Sequence, residues 1–414
     1  MRHPSRRAVL VAGAAAAVSA AVPARARSVT QPRWDVAVVG AGVFGAWTAR
    51  QLLDSGKRVL LIDAWGPAHA RASSGGESRM TRGSYGADEV YTRMALQSLP
   101  EWQALSDRAD LPLFHRTGVL FVFPRPDPFL EDTLRVHRSL GLATSLLSGE
   151  ALRRRIPAMA VNAEDQGLFE PGFGALMARR AVQTLVAEFV RAGGTYLQAA
   201  VAPPVGGGRV EALVTERGDR FAADDFVFAC GPWLGRLFPD LLATRIFPTR
   251  QEVFFFAPAP GDSRFEVGQL PGWADFNNGD VYYGFPSLEG RGFKIAHDAH
   301  GPRIDPDQGD RTPSDAALAD VRGFISRRFP DLAERPLSEA RVCQYENSSN
   351  GDLLIDRHPN FRNVMLVGAG SGHGFKHGPA VGRYAAQLLL GALSVAEPRF
   401  SLATKAEREA RAVH

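Results

Sequence analysis

Three glycines and one aspartate near the start of the chain have the types and spacing that a nucleotide-binding turn requires. Gly40, Gly42 and Gly45 form the pattern G-x-G-x-x-G, and Asp63 follows about 20 residues later. The first glycine permits a tight turn, the second lets a pyrophosphate approach the backbone, and the third allows close helix packing. The free N–H groups of the helix can bind phosphate, and Asp63 can accept hydrogen bonds from a ribose. These residues predict a dinucleotide site. The acid at the ribose position disfavours NADP and leaves NAD and FAD both open.

The turn needs a strand before it and a helix after it, and the sequence predicts both. Val36–Val39 is a short apolar run typical of a strand buried on both faces. A helix follows the glycines and ends near Gly56, and Val59–Ile62 predicts the next strand. Another strand, glycine-rich loop and helix occur late in the chain, at Val364–Val367 and Pro379–Leu393. We therefore expect the C-terminal part of the chain to complete the cofactor fold.

Between these units the sequence predicts a second sheet and several helices. Residues 96–164 are predicted to be mainly helical, with a strand at Gly118–Phe123. Gly167–Met177 is predicted as a loop and Asp225–Trp233 as a buried strand. From residue 241 to 334, strand-like runs alternate with turns, which is typical of an antiparallel sheet. The predicted fold combines α/β and α+β architecture: a Rossmann-like cofactor domain and a substrate domain with a mostly antiparallel sheet.

The predicted cofactor domain is discontinuous because its last strand and helix are separated in sequence from its first. The chain has 414 residues, which is enough for two domains. The predicted division is residues 34–95, 165–240 and 335–395 for the cofactor domain, 96–164 and 241–334 for the substrate and catalytic domain, and 396–414 for a C-terminal tail.

The first residues resemble an export signal. Residues 5–10 (S-R-R-A-V-L) resemble a twin-arginine motif, and a short Ala- and Val-rich run follows them. Ala24–Ala26 is a possible cleavage site, so residues 1–26 are predicted to be a signal peptide. A retained anchor and an ordinary secretion signal are the alternatives. The twin-arginine pathway exports folded proteins, so a cofactor can be loaded first. The expected location is the periplasm or the exterior.

Composition narrows the function classes. Hydrophobic residues make up 45% and charged residues 22% of the chain, which is ordinary for a soluble globular protein. The basic residues are scattered, so no nucleic-acid partner is predicted. Cys230 and Cys343 permit one disulfide at most, and we expect at least one of them to have another use. His373 and His377 lie four residues apart without a third ligand, so no metal site is predicted.

Five segments together resemble the monomeric sarcosine oxidase and N-methyltryptophan oxidase family, within the D-amino-acid oxidase superfamily. They occur in the family's order from about residue 34 to 390. The segments are G-A-G-V-F-G with Asp63; G-G-E-S-R-M-T-R-G-S-Y-G; Y-Y-G-F-P-S-L-E-G-R-G-F-K; C-Q-Y-E-N-S-S-N-G-D-L-L-I-D; and G-S-G-H-G-F-K. The resemblance implies FAD as the cofactor.

The resemblance also implies roles around the flavin. Cys343 matches the cysteine that forms a thioether to the flavin, so covalent FAD is expected. Lys294 matches the lysine that helps oxygen accept electrons, and a fixed cation there would stabilise developing superoxide. Arg79 matches an arginine near the flavin. Further cofactor contacts are expected from Ser78, Gly372 and Gly374.

Other matching residues imply an amino-acid substrate. Arg82 and Lys376 match a pair that binds a carboxylate, through a guanidinium fork and a point charge. Tyr283 and Tyr345 match tyrosines that line the amine pocket. Each of these side chains has an ordinary structural alternative, as a surface cation or a half-buried core aromatic.

Two positions depart from the family. Gly75 and Asp298 stand where close members carry histidines, and His297 lies beside Asp298. We therefore expect a pocket that is roomier on one side and more acidic on the other. Our hypothesis is that Asp298 receives a cationic group of an amino acid larger than sarcosine.

The implied activity is oxidation of a secondary amine or amino acid, such as an N-methyl or cyclic amino acid, to an imine with formation of hydrogen peroxide. The expected partners are a small amine substrate and oxygen, and the expected state is a monomer without a membrane span. One alternative is a dehydrogenase of the same fold that passes electrons to a quinone or carrier. A second is a binding protein that has lost catalysis.

Overall fold

A computed structural model describes residues 33–299, 301–393 and 395–407 of the chain. The predicted signal peptide, residues 1–26, lies outside the described residues, as does the end of the predicted tail. Within the described ranges, no helix has the length and apolar character needed to cross a membrane.

The strands are numbered along the chain. They are β1 (Trp34–Val39), β2 (Val59–Asp63), β3 (Ser78–Met80), β4 (Phe114–His115), β5 (Val119–Phe123), β6 (Ser145–Ser148), β7 (Gln166–Glu170), β8 (Ala175–Met177), β9 (Thr195–Gln198), β10 (Ala212–Val214), β11 (Arg220–Phe228), β12 (Ile246–Phe256), β13 (Gly272–Asp275), β14 (Tyr282–Phe285), β15 (Phe293–His297), β16 (Leu337–Ser348), β17 (Leu354–Arg357) and β18 (Val364–Gly368).

The helices are numbered in the same way. They are α1 (Val43–Asp54), α2 (Glu89–Asp107), α3 (Pro128–Ser139), α4 (Gly149–Arg155), α5 (Ala178–Arg191), α6 (Leu234–Leu237), α7 (Pro239–Leu242), α8 (Asp315–Arg328) and α9 (Gly378–Leu389).

The first sheet has the strand order β17-β18-β11-β1-β2-β9, with β10 paired to β11. Its central pairs, from β18 to β9, are parallel, and β17 and β10 are antiparallel additions. Helices α1 and α9 pack together on this sheet, where Trp47 and Trp102 meet edge to face with their ring centroids 5.2 Å apart. A buried parallel sheet covered by helices explains why β1 and β2 are continuous apolar runs.

The second sheet has the order β16-β12-β15-β14-β13-β5-β7-β6 and is antiparallel except for the pair β5 and β13. Helix α8 covers it through Phe324, which stacks on Trp273 and on Tyr282. A small third sheet, β3-β8-β4, carries Ser78 and Arg79. The predicted fold class, a parallel Rossmann-like sheet with a mostly antiparallel second sheet, is confirmed. The predicted domain boundaries stay a prediction.

Three local predictions were wrong. Gly167–Met177 is not one loop, because β7 and β8 frame a turn at 171–174, and the paired strands satisfy the backbone groups of these buried residues. Residues 96–164 are less helical than predicted, because β4 and β6 as well as β5 interrupt helices α2 to α4. The strand predicted at Asp225–Trp233 begins earlier, at Arg220, and ends at Phe228, because its first residues pair with β10.

Candidate active site

A cavity of about 480 Å³ lies at the carboxyl ends of the strands of the first sheet. Gly40, Asp63, Ala229 and Gly370, which follow or end β1, β2, β11 and β18, line it. This is the edge at which open parallel sheets bind their ligands, and the volume is within the usual range for a small-molecule site.

The three motif glycines differ in what makes them necessary. Gly40 has φ of +102°, and a Cβ there would overlap the carbonyl oxygen of Ala229. A Cβ on Gly45 would overlap the carbonyl oxygen of Gly40. A Cβ on Gly42 would meet only Ser74 Oγ, at 3.5 Å, and would point into an uncrowded part of the cavity wall. The fold thus requires glycine at 40 and 45, whereas glycine at 42 leaves room for a ligand close to the backbone.

The amino end of α1 opens on this cavity. The N-cap residue, Gly42, has no side chain to cap the helix, and Ser74 Oγ accepts a hydrogen bond from the Val43 N–H at 3.1 Å. Asp63 accepts hydrogen bonds from the N–H groups of Ala41 at 2.7 Å and Gly66 at 2.8 Å. This carboxylate therefore shapes the turn as well as lining the cavity. These residues fit an anionic dinucleotide, and the ribose contact of Asp63 stays a prediction.

Lys294 is buried in the second sheet on β15, with 2% of its surface exposed. Its ammonium group donates hydrogen bonds to Ser78 O and Ser78 Oγ, both at 3.0 Å. Among the described residues no carboxylate forms an ion pair with Lys294. The nearby Glu77 is paired with Arg291 and Arg341 instead. Burial, together with the nearby Arg79 guanidinium, lowers the pKa of Lys294 to about 7. The predicted oxygen-activating lysine is thus a buried cation held by neutral acceptors.

Arg79 lines the cavity and lies close to Lys294. It donates to Ser73 O at 2.6 Å and to its neighbour Ser78 O at 2.9 Å. Because Ser78 O also accepts from Lys294, the two cations share one carbonyl group. The structure therefore brings Ser78, Arg79 and Lys294 together, and their roles beside the flavin stay predictions.

The two cysteines are both free thiols and occupy different places. Cys343 lies on β16 opposite Gln251, close to Lys294 and Tyr283. Cys230 follows β11, lines the cavity and donates from Sγ to Val39 O at 3.5 Å. Burial raises the pKa of Cys230 well above its usual value, so this thiol stays protonated. Cys343 is not among the described residues that line the cavity, and its flavin bond stays a prediction.

Tyr283, Tyr345 and Asp298 form one hydrogen-bonded group. The two tyrosines are hydrogen-bonded to each other, and Tyr345 donates to Asp298 Oδ1 at 3.3 Å. Burial, and secondarily the charge of Asp298, raises the pKa of Tyr283 to about 12 and that of Tyr345 well above its usual range. Both phenols therefore remain neutral donors at physiological pH. The Asp298 carboxylate lies among residues expected to line the substrate pocket.

Arg82 and Lys376 meet at one aromatic ring, that of Tyr85. The Arg82 guanidinium carbon lies 4.1 Å from the ring centroid, and Lys376 Nζ donates to the Tyr85 hydroxyl at 2.7 Å. Lys376 also donates to His373 O at 2.6 Å, and Arg82 donates to Ser84 O. The predicted carboxylate-binding pair is therefore brought together around a residue that the sequence prediction did not include.

His373 and His377 both contact the hydroxyl of the same residue, Tyr85. His373 Nδ1 lies 3.2 Å and His377 Nε2 2.7 Å from the Tyr85 hydroxyl. Burial and the adjacent Lys376 lower the pKa of His377 well below its usual value, so this imidazole is neutral. No group of three or more potential metal ligands occurs in the described part of the chain.

The glycine-rich loop after β18 completes the cavity wall. Gly372 has φ of +77°, and a Cβ there would lie 2.7 Å from Tyr345 Cε2, so this glycine lets the loop lie against the tyrosine. A Cβ on Gly374 would lie 2.7 Å from the Gly370 Cα, so the loop folds back on itself at this point. Both glycines line the cavity, and their contact with the cofactor stays a prediction.

The expected extra room beside Gly75 is absent. A Cβ at this position would overlap the carbonyl oxygen of His69, so backbone atoms fill the space where a side chain would begin. Arg179 donates to the carbonyl oxygen of Gly75 at 2.9 Å and fixes this turn. The prediction of a roomier pocket at Gly75 was therefore wrong for the direction in which a side chain would project.

Two buried acids escaped the sequence prediction. Glu170, fully buried on β7, accepts from the N–H of Gly83 at 2.9 Å and from Ser84, and so holds the segment that carries Arg82. Glu346, on β16 next to Tyr345, lines the cavity. The signal was in the sequence: each is a charged residue within a stretch that is otherwise apolar or uncharged.

A segment from the second half of the chain covers part of the cavity. Asp307 lines the cavity and accepts a hydrogen bond from Trp233 Nε1 at 2.7 Å. Arg236 forms ion pairs with both Asp305 and Asp307. The connection between β15 and α8 is thereby fastened to α6, which follows the first sheet.

Known proteins of similar sequence and fold were found. Monomeric sarcosine oxidase from Bacillus sp. is 31% identical over 373 residues, which cover 86% of this chain and 92% of the relative. N-methyl-L-tryptophan oxidase from Salmonella heidelberg is 29% identical over 364 residues, or 87% and 95% of the two chains. The crystal structure of L-proline dehydrogenase from P. horikoshii has a TM-score of 0.77 at 19% identity, covering 89% and 97%, and supports the fold alone.

The resemblance inferred from the sequence motifs is thus confirmed over most of the chain. The profile of the family described as DAO, FAD dependent oxidoreductase, matches residues 35–388. These residues include the glycine turn, Lys294, Cys343 and the glycine-rich loop. The chain belongs to the DAO family of FAD-dependent oxidoreductases and is an enzyme of that class.

Proposed function

We propose that this enzyme is an oxidase of secondary amines that carry a carboxylate, such as N-methyl or cyclic amino acids. The observation that carries the proposal is the buried Lys294, a cation without a paired acid, next to Arg79 at the cavity wall. A buried, preorganised positive charge is suited to a reaction in which negative charge develops on oxygen. The printed names of its relatives, a sarcosine oxidase and an N-methyltryptophan oxidase, support the substrate class.

FAD, when bound, would supply the two-electron chemistry between the substrate and dioxygen. The substrate loses a hydride equivalent from the carbon beside its nitrogen. Dioxygen receives both electrons and takes up two protons to form hydrogen peroxide. The loss of the hydride and the amine proton leaves an imine, which water hydrolyses. The protein contributes orientation and electrostatics. Arg82 and Lys376 hold the substrate carboxylate, while the neutral Tyr283 and Tyr345 hydroxyls face the amine.

We propose that Asp298 determines which substrate side chains the enzyme prefers. Its carboxylate accepts from Tyr345 and is held near the two phenols. A cationic group on the substrate side chain would pair with it, so we propose a preference for substrates larger and more basic than sarcosine. In Asp298→Asn the kcat/KM for basic substrates should fall relative to neutral ones, and an unchanged substrate ranking would contradict this role.

We further propose that FAD is bound covalently through Cys343. Attachment would replace one S–H bond and one C–H bond by an S–C bond, and dioxygen would take up the two electrons and two protons released to give hydrogen peroxide. The matched variants are Cys343→Ala and Cys230→Ala, since Cys230 lines the cavity but stays protonated. After acid precipitation, flavin absorbance should remain in the pellet for wild type and Cys230→Ala and appear in the supernatant for Cys343→Ala. The reverse pattern would assign the bond to Cys230.

The oxidase proposal is tested by separating the two half-reactions. Lys294→Met should still be reduced by substrate without oxygen, and its reoxidation by oxygen should slow about 100-fold or more, as for loss of one preorganised charge. Lys405→Met is the matched control, because Lys405 is also fully buried but donates to Asn350 and Arg399 O away from the cavity lining. Equal reoxidation in wild type and Lys294→Met would favour a dehydrogenase with another electron acceptor.

We also propose that the folded enzyme is exported as a monomer. The support is the twin-arginine sequence at residues 5–10, which lies outside the described residues. Fractionation of cells that express the full chain should place wild type in the periplasm and the Arg6→Lys/Arg7→Lys variant in the cytoplasm. Light scattering of the exported protein should give the mass of one chain, and equal cytoplasmic retention of both proteins would contradict export by this route.

A further inference from the structure

Glu346 is a buried acid in the cofactor cavity to which the mechanism gives no role. It lies on β16 opposite Pro248, and 5% of its surface is exposed. Its Oε1 atom is buried and has no hydrogen-bond partner among the described residues. A buried polar atom left without a partner costs about 1–3 kcal/mol, so such an atom calls for an explanation.

The surroundings of Glu346 favour its neutral form. The described residues include no basic side chain that forms an ion pair with Glu346, and burial raises its pKa to about 8. Hydrogen bonds from the N–H groups of Ala369 and Gly370 oppose this rise only in part. At neutral pH the side chain is therefore a carboxylic acid with a proton to donate.

The titratable groups near Glu346 make a second negative charge unfavourable there. Asp63 and Glu346 both influence the Cys230 thiol, so the three groups are close to one another at the cavity wall. The other ionisable residues of the wall are His69, Arg79, Glu216, Arg236, Asp307 and Tyr345, whose phenol is neutral. An ionised Glu346 would repel a diphosphate, whereas a protonated one can donate to it.

The position of Glu346 also points to the cofactor. Its Oε1 would lie 2.5 Å from a Cβ on Gly368, the last residue of β18, so the carboxyl fills the place of a side chain at the carboxyl edge of the first sheet. The loop that follows, with Gly370 and Gly372, lines the same cavity. Hence the carboxyl group stands between the sheet and the loop that enclose the cofactor.

We propose that Glu346 is a cofactor-binding residue that donates its proton to an oxygen of bound FAD, a ribityl hydroxyl or a phosphate oxygen. The inference rests on the family's FAD dependence and not on the proposed substrate. The affinity of the protein for FAD should therefore fall as Glu346 ionises. The proton stays on Glu346 throughout the binding step, so no bond is broken.

The test measures FAD affinity rather than activity. Apoprotein in a Cys343→Ser background, in which binding is reversible, is titrated with FAD at pH 6.5 and pH 9 by fluorescence quenching. The Kd of the background should rise about 10-fold at pH 9, because one pH unit above a pKa leaves about one tenth of the acid protonated. Glu346→Gln, whose amide is a permanent donor, should bind at pH 6.5 within about threefold of the background and should show no rise; the threefold allowance is the usual spread of single-contact effects.

Two further variants make the outcome decisive. Glu346→Leu removes the donor and should bind about 10-fold more weakly than the background at pH 6.5, as for a lost hydrogen bond in a buried site. Glu216→Gln, which changes an exposed carboxylate in the same wall, should keep the pH dependence of the background. Melting of each apoprotein by circular dichroism verifies that it is folded.

Equal pH dependence in the background and Glu346→Gln, or equal affinity in the background and Glu346→Leu at pH 6.5, would overturn the role of Glu346 alone. Failure of the folded background itself to bind FAD would overturn this role together with the FAD assignment.

Discussion

At the scale of single residues, the site gathers positive charge in two places with different surroundings. Arg82 and Lys376 meet at Tyr85, whose ring contacts both cations and whose hydroxyl accepts a hydrogen bond from Lys376. Lys294 is instead enclosed by Ser78 and the rings of Phe285 and Phe255. The first pair suits an anion that comes and goes with the substrate, and the second suits charge that develops during turnover.

The carboxylate pair gives a prediction about substrate binding. Arg82→Gln should raise KM for amino-acid substrates about 10- to 100-fold, because a hydrogen bond to a charged group contributes about 1.5–3 kcal/mol. A secondary amine of similar size without a carboxylate is the control substrate, and its steady-state KM should change little. A parallel rise for both compounds would indicate that the substitution disturbs the Tyr85 segment as a whole.

Lys294 gives a prediction about pH. Its ammonium form is populated below its pKa, which burial lowers to about 7, and negative charge on a bound cofactor shifts that pKa upward. The rate of reaction with oxygen should therefore fall with increasing pH through a midpoint at or above about 7. Stopped-flow reoxidation from pH 6 to 10 measures this. In Lys294→Met the reoxidation rate should not fall with pH in this way. If the same fall persists in this variant, another group causes it.

At the scale of elements, the turn between β1 and α1 separates what the fold needs from what the cofactor needs. Gly45 packs α1 against the carbonyl of Gly40, while Gly42 faces the cavity. Gly45→Ala should destabilise the protein by about 1–3 kcal/mol through overpacking. Gly42→Ala should cost no more than about 1 kcal/mol as a change at a helix N-cap. Yet Gly42→Ala, measured by FAD titration and urea unfolding, should be the variant that loses cofactor affinity. Equal loss of stability in both would contradict this division.

The elements also show how far the sequence could predict this site. The glycine turn, β2 and Asp63 follow from local periodicity and spacing, because each is built from neighbouring residues. The lysine and the substrate pair followed only from the family resemblance. Tyr85 and Glu170 were missed because their importance arises from contacts across 291 and 87 positions of the chain. The space at Gly75 was misjudged because a carbonyl group from residue 69 occupies it.

At the scale of the whole molecule, cofactor binding and stability are linked. A ligand that binds only the folded state stabilises it by about 2.7 kcal/mol at a free concentration 100 times its Kd. The apoprotein in the Cys343→Ser background should therefore melt at least about 2 °C higher with FAD at that concentration, given the size of the chain. Differential scanning fluorimetry measures the shift, and Gly42→Ala should show little of it. A Tm unaffected by FAD would place the binding site elsewhere.

The strand order of the first sheet has a consequence for synthesis. Its central strand β1 is made first, but β18 and the loop Gly370–Gly374, which close the cavity, come from the last eighth of the sequence. Asp307, which lines the cavity and accepts a hydrogen bond from Trp233, is also made in the last third of the chain. A ribosome-bound chain therefore lacks a complete cavity until translation is nearly finished. Any nascent chain that is released early, or cut before β18, lacks the wall that retains FAD, so flavin content becomes a direct readout of full-length chains.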